Sequence, residues 1–140
     1  MTDKKKVVYA TAVCDLLHIG HLKYFRHSKK FGNILIVGVL SDDAVQNYKR
    51  DPVIPFDERL ELTKELKIVD DAVCQDDIDP TDNLMKMKPD ILTHGSDWSR
   101  PVPGEKYMLS IGGRVEITPY YFQRSTTQII QSIKKREDLF

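Results

Sequence analysis

The sequence predicts an α/β fold, a doubly wound parallel sheet of about five strands with helices on both faces. Three observations predict it. Apolar, β-branched runs alternate along the chain with segments of helical periodicity. The leading runs, "KVVYATAV" and "NILIVGVL", are almost continuously apolar, as strands are when both faces are covered. Polar clusters recur just past predicted strands, at Asp15–His21, Ser41–Asp43, His94–Trp98 and Gln123–Thr127. In such a sheet those positions fall on one edge, outside the carboxyl ends of the strands, where ligands bind.

Each element has its own signal. "KVVYATAV" is the first strand, and His21 to Phe31 is a helix with Leu22 and Phe25 at helical spacing and Gly32 as its stop. "NILIVGVL" is the second strand. Ser41, followed by two acids, caps a short helix, "SDDAVQNY". The proline loop "KRDPVIP" leads to a helix from Asp57 to Lys67, with Leu60, Leu62 and Leu66 near one side. "DAVC" is a short strand, "TDNLMKMK" a short helix, and "PDILTHG" a strand entering the loop "SDWSRPVPG". "EKYMLSIGG" is a helix ended by Gly112 and Gly113, and "RVEITPY" the last strand. "STTQIIQSIKKR" is a capped helix with Ile129, Ile130 and Ile133 at helical spacing.

Bulk properties narrow the function. The 140 residues fit one domain spanning 1–140. Lys+Arg and Asp+Glu both number 21, so the zero net charge argues against a nucleic-acid or membrane-surface partner. No apolar stretch approaches the roughly 18 residues a membrane helix needs, and "MTDKKK" is no signal peptide. Cys14 and Cys74 sit in strand-like runs and read as buried free thiols of a cytoplasmic protein.

"DLLHIGH" carries the chemistry. As a metal clip His18 and His21 lack further ligands at close spacing, since His27 is on the helix and His94 is distant. As a structural pair, one histidine would cap the helix. As a catalytic pair, they flank a glycine that lets a phosphate approach, and His21 starts a helix whose free N–H groups and dipole favour anions. Imidazoles placed there can stabilise charge developing on phosphorus.

"DLLHIGH" resembles the HxGH motif of the nucleotidylyltransferase superfamily, and the stretch from Val7 to about Ile133 resembles its cytidylyltransferase branch, which acts on glycerol phosphate, phosphocholine, phosphoethanolamine and phosphonates. "LIVGVLSDDAVQNYK", "DPVIPFDERLELTKELKIVDDAV", "KPDILTHGSDW" and "STTQII" are similar to that branch's segments in order and spacing. The resemblance implies a Rossmann-like sheet, Mg²⁺ carried with CTP, and a homodimer, for which exposed Trp98 in "SDWSRPVPG" would be a candidate patch. It implies that His18, His21 and Gly20 meet the triphosphate, with Lys49 neutralising charge and Arg59 binding phosphate. Ser125, Thr126 and Thr127 would hold the β- and γ-phosphates, and His94, Gly95, Asp97 and Trp98 would lie beside the base. Asp15 would support the histidine loop within the nucleotide site. Histidine would act as donor and cation. The acceptor's phosphate or phosphonate oxygen would attack the α-phosphorus in line, releasing pyrophosphate.

The chain departs from the family in two places. The "GTFD" turn is here Ala12, Val13, Cys14 and Asp15, which removes a glycine and a hydroxyl, with Thr11 adjacent. The segment before "STT" is Tyr120 to Arg124, with Tyr120 at the family's arginine and Gln123 and Arg124 nearest the hydroxyls; Arg124 would supply the cation from another direction. Tyr120, Tyr121 and Phe122 could form part of an aromatic cage for a quaternary amine or simply pack in a strand. Three alternatives stand beside this reading. One is an adenylyltransferase of the same fold, of FAD-synthetase or pantetheine-phosphate type. Another is a class I aminoacyl-tRNA synthetase fragment, opposed by the shortness and neutrality of the chain. The last is a non-catalytic nucleotide-binding module.

Overall fold

The structure, a computed structural model, describes residues 5–139. The head of the charged start read as lacking a leader, residues 1–4, and Phe140 lie outside the described residues. The apolar runs become β1 (Val7–Ala12), β2 (Ile34–Leu40), β3 (Asp71–Gln75), β4 (Ile91–Gly95) and β5 (Arg114–Thr118). The helices are α1 (Ile19–Lys29), α2 (Asp42–Tyr48), α3 (Phe56–Lys64), α4 (Thr81–Met87), α5 (Glu105–Ser110) and α6 (Thr126–Lys135). The strands form one sheet in the order β3-β2-β1-β4-β5, and every pairing is parallel. This is the α/β, Rossmann-like sheet that the alternation predicts.

Period-two alternation splits the core between the two faces. Val8, Ala10, Leu35, Val37 and Val39 pack with Phe25 of α1 on one face, while Tyr9 and Leu92 pack with Leu84 of α4 and Met108 of α5 on the other. Gly38 of β2 is required by space, because a Cβ there would overlap the Tyr9 hydroxyl and the Gln75 amide. Among the boundaries that differ from expectation, three have a clear local cause. α1 begins at Ile19, because His18 supplies the cap. α3 closes at Lys64 instead of Lys67: the Leu66 N–H turns back to the Thr63 carbonyl (3.2 Å), which drops Leu66 and Ile68 onto the core. α5 closes at Ser110, before its two glycines, and the Gly113 N–H folds back to Met108 (2.8 Å). Cys74 is exposed, because β3 is an edge strand; Cys14 is buried beyond the end of β1, and burial pushes its thiol up to about 12. Among the described residues no helix is long and apolar enough to cross a membrane.

The sheet parts at its switch point. β1 and β2 pair over six residues, from Val7–Ile34 to Ala12–Val39, but β1 and β4 pair only over Val8–Ile91 to Ala10–Thr93. Beyond that, Thr11 and Ala12 follow β2 while His94 and Gly95 follow β5. Tyr24 of α1 enters the gap, its hydroxyl 3.2 Å from both the Thr11 and the Thr93 carbonyls. Ser28, one turn on, bonds the Thr93 hydroxyl at 2.8 Å.

Two buried charges tie the loops at this edge. The Arg59 guanidinium is fully buried and donates to the carbonyls of Ile54 (2.8 Å), Val13 (2.6 Å) and Leu40 (2.8 Å) and to the Asp42 carboxylate (2.7 Å). It therefore corrects the expectation of a phosphate ligand: the guanidinium is fully buried, and all three of its nitrogens are already engaged by the ends of β1 and β2, the proline loop and α2. Asp15, also buried, accepts from the Val53 and Ile54 N–H groups (2.8 and 2.9 Å) and from Arg50 (2.8 Å). Burial alone would raise its carboxyl, but these donors carry it below its ordinary value. The Asp15 carboxylate is thus engaged by Arg50 and the proline loop, and Asp15 does not line the cavity described below. Arg59→Leu orphans three carbonyls and one carboxylate, so it is expected to destabilise the protein by about 3–5 kcal/mol, more than roughly 10 °C in thermal unfolding. A shift under a degree or two would refute that structural role.

Candidate active site

The parted strands open into a cavity of about 260 Å³. Its floor is Thr11, Ala12 and Val13 from the end of β1. One wall is the start of α1, with His18, Gly20, His21 and Tyr24. Lys49 and Tyr48 come from the end of α2, and His94, Gly95, Asp97 and Trp98 from the end of β4. The remaining side is Tyr120, Tyr121 and Arg124 with the start of α6, Ser125 to Thr127. Residues of three of the four strand-end clusters thus share one surface, while none of Ser41 to Asp43 lines it, since Ser41 caps α2 and Asp42 is held by Arg59. Asp15, Arg59 and Gln123 are not part of it.

The histidine loop is a reciprocal cap. His18 is the N-cap of α1 and its Nδ1 accepts from the Gly20 N–H (3.0 Å), while the His18 N–H donates to His21 Nδ1 (3.2 Å). The ring centroids lie 4.2 Å apart. With both Nδ1 atoms accepting, the proton of each neutral ring is on Nε2, so each presents one N–H donor. Gly20 is set by this packing, since a Cβ would stand 2.7 Å from His18 Cε1 and 3.2 Å from the Arg124 carbonyl. The glycine makes room for an imidazole and for the loop before α6, and not only for a phosphate.

Charge in the cavity corrects the cationic reading of the histidines. Burial, and then the nearby Arg124, lower the His18 pKa. Burial, reinforced by His18 and Lys49 and opposed by Asp15, brings His21 down to about 3. Lys49 is lowered by burial and by Arg50. In this structure the rings are neutral donors, and the positive charge at the site belongs to Lys49, Arg124 and the helix starts.

The hydroxyls before α6 are not equivalent. Ser125 Oγ caps the helix by accepting from the Gln128 N–H (3.1 Å), which leaves its proton for a ligand. Thr126 Oγ1 donates to the Asp15 carbonyl at 2.6 Å, so it offers no proton and contributes through its helix-start N–H. Trp98 is half-buried, its ring 5.4 Å from His94 and 5.8 Å from Tyr48, so the loop presents no exposed tryptophan for a dimer contact. Phe122 is 70% exposed and off the cavity wall, so the three aromatics 120–122 do not close a cage. Among the described residues no group of three or more His, Cys, Asp or Glu is placed to hold a metal ion. The sequence reading missed Tyr24, Tyr48 and Ile78 as lining residues. Tyr24 could have been found, since it lies at i+3 from His21 on the same helix face; Ile78 is in a loop and carries no local signal.

A family model described as cytidylyltransferase-like matches residues 10–137. The chain belongs to the cytidylyltransferase-like family. It falls in the HxGH nucleotidylyltransferase superfamily that "HIGH" suggests. It is similar to the "Bifunctional protein HldE" of Geobacter sulfurreducens, 35% identical over 134 residues, covering 94% of this chain and 27% of that protein. The HldE protein of Citrifermentans bemidjiense is 37% identical over 132 residues, covering 92% and 27%. The chain thus spans about a quarter of the length of these curated relatives. The crystal structure of the lipopolysaccharide core biosynthesis protein from Thermoplasma volcanium superposes with a TM-score of 0.72 at 34% identity, covering 84% of this chain and 98% of that one.

The depressed His21 gives this cytidylyltransferase-like domain a stability signature. Its folded pKa, about 3, lies below the ordinary 6.5. The unfolded chain therefore binds the proton first, and the contribution is present above about pH 6.5 and lost as pH falls towards 3. Unfolding followed by calorimetry is expected to take up close to one more proton in the wild type than in His21→Asn near about pH 5, the difference shrinking as pH rises through about 6.5. Equal pH dependence of the two proteins would refute a neutral His21.

Proposed function

We propose that the chain is a nucleotidyltransferase that joins a nucleoside monophosphate from CTP to a phosphorylated acceptor and releases pyrophosphate. The observation that carries this is the pair of capped imidazoles, 4.2 Å apart, sharing one cavity with Arg124 and the start of α6. An acceptor phosphate oxygen attacks the α-phosphorus as the bond to the β-phosphate oxygen breaks, so no covalent enzyme intermediate is required. The Nε2–H groups of His18 and His21 stabilise charge on the α-phosphate oxygens, and Lys49 and Arg124 neutralise the triphosphate. Ser125 and the α6 N–H groups receive the leaving pyrophosphate. Mg²⁺ would travel on the triphosphate, as it does where a protein offers few carboxylates; Asp97 is the carboxylate on the cavity wall that could assist it.

Adenylyl transfer is the second reading. Tyr48, Trp98 and Ile78 make an aromatic and apolar wall, and stacking surface suits a purine at least as well as a pyrimidine. A carbohydrate phosphate is the favoured acceptor, supported by the likeness to the lipopolysaccharide core biosynthesis protein of Thermoplasma volcanium. Glycerol phosphate and phosphonates remain within the acceptor class. Phosphocholine loses support because Phe122 stands away from the cavity.

Labelled CTP and ATP, offered with a panel of sugar phosphates, glycerol 3-phosphate, phosphoethanolamine and phosphonates, test the assignment by pyrophosphate release. Turnover with CTP is expected to exceed that with ATP; the reverse would replace the donor, and no turnover with either would remove the activity. The cap separates the two roles of His18. Asparagine keeps an N-cap acceptor and loses the imidazole, so His18→Asn is expected to keep its thermal stability and lose about 10²–10³ in kcat, whereas His18→Ala loses roughly 1 kcal/mol of stability as well. Arg124→Ala is expected to weaken nucleotide binding or turnover by about 1–3 kcal/mol. Wild-type kinetics in that variant would shift the phosphate role to Lys49.

A further inference from the structure

The hydrogen bonds beneath the cavity floor give Thr11 a direction. Gln75, at the end of β3, is 2% exposed. Its Nε2 faces two carbonyls, donating to Asp77 (2.8 Å) and Ile78 (3.3 Å), which fixes the other end of the amide as the oxygen. That oxygen receives the Tyr9 hydroxyl (2.6 Å) and Thr11 Oγ1 (3.1 Å). The Tyr9 oxygen in turn accepts from Asn83 Nδ2 (3.0 Å), which also donates to the Cys74 carbonyl (2.8 Å). Burial pushes the Tyr9 phenol up to about 12, so it keeps its proton. The amide and hydroxyl protons of this chain therefore have assigned acceptors. The single hydroxyl proton of Thr11 goes to Gln75, an oxygen with none to return, and Thr11 brings only lone pairs to the cavity it lines.

We propose that Thr11 is a hydrogen-bond acceptor subsite that reads a substrate hydroxyl, held in that sense by Gln75, and is not a stand-in for the missing phosphate-facing hydroxyl. A phosphate diester oxygen has no proton for a lone pair, and two facing acceptors repel; a hydroxyl donates. The ligand class is a hydroxylated substrate, with the hydroxyl coming from the ribose of the nucleotide or from a polyol acceptor phosphate. Gln75 is the positioning residue, since it also holds the carbonyl of Ile78, another lining residue. The inference rests on the reading of the cavity as a nucleotidyl-transfer site.

Quenching of Trp98, the chain's sole tryptophan and a cavity residue, reports binding directly. The ligands are CTP and ATP with their 2′,3′-dideoxy forms, and glycerol 3-phosphate with propyl phosphate. In the wild type at least one hydroxylated ligand is expected to bind about 3- to 10-fold more tightly than its hydroxyl-free counterpart. Thr11→Val is expected to abolish that preference, bringing the hydroxylated ligand to the affinity of its hydroxyl-free counterpart, and Thr11→Ser to restore it. The nucleotide pair or the glycerol pair that responds identifies the source of the hydroxyl. Absence of any preference in the wild type overturns the proposal without need of a variant, as does equal weakening of both members of each pair in a folded Thr11→Val. Either result leaves nucleotidyl transfer standing. A wild type that binds neither nucleotide nor acceptor phosphate overturns the functional reading and this proposal together.

Discussion

The site depends on the parting of β1 and β4 after Ala10 and Thr93. Two parallel strands that part expose backbone carbonyls to a cavity, and such groups need partners. Tyr24 supplies the partner, one phenol placed between the Thr11 and Thr93 carbonyls. Because Tyr24 is on the helix that His18 caps, the contact that props the strands apart also fixes where the imidazoles stand. The gap, the helix start and the histidine pair are one arrangement, so their geometry cannot be varied separately.

Burial decides the electrostatics of that arrangement. A cationic pair of histidines would be attractive beside a triphosphate, but like charges 4.2 Å apart, with Lys49 and Arg124 close by, oppose it. Neutral rings avoid that repulsion and still donate through Nε2, because the helix start occupies both Nδ1 atoms. The structural and the catalytic readings of "HIGH" are therefore complementary: the cap sets the tautomer that the proposed chemistry would use. The positive charge that would face a triphosphate is left to Lys49, Arg124 and the helix starts.

Arg59 and Asp15 show a second balance. Each buries a charge, which is costly unless hydrogen-bonded throughout. Each meets that condition by capturing backbone groups of loops that have no regular structure of their own, Val13, Val53 and Ile54 among them. The loops at the carboxyl edge are thereby tied to one another without a ladder. Thr126 extends the tie to α6 through the Asp15 carbonyl.

Local signals determined much of this protein. Continuous apolar runs announced strands covered on both faces, Ser41 and Ser125 announced helix starts where their hydroxyls do accept N–H bonds, and the strand-end clusters announced a shared edge. These depend on neighbours within a turn or along one strand, so they are written in short stretches of sequence. What only the tertiary structure decided is which members of those clusters face inward. Arg59, on α3, points into loop carbonyls; Cys74 is exposed because β3 ends the sheet; Thr11 turns its proton to a glutamine 64 residues away. Each of those outcomes is set by a partner distant in the chain, and no local spacing encodes the direction of a side chain towards a partner that only folding brings near.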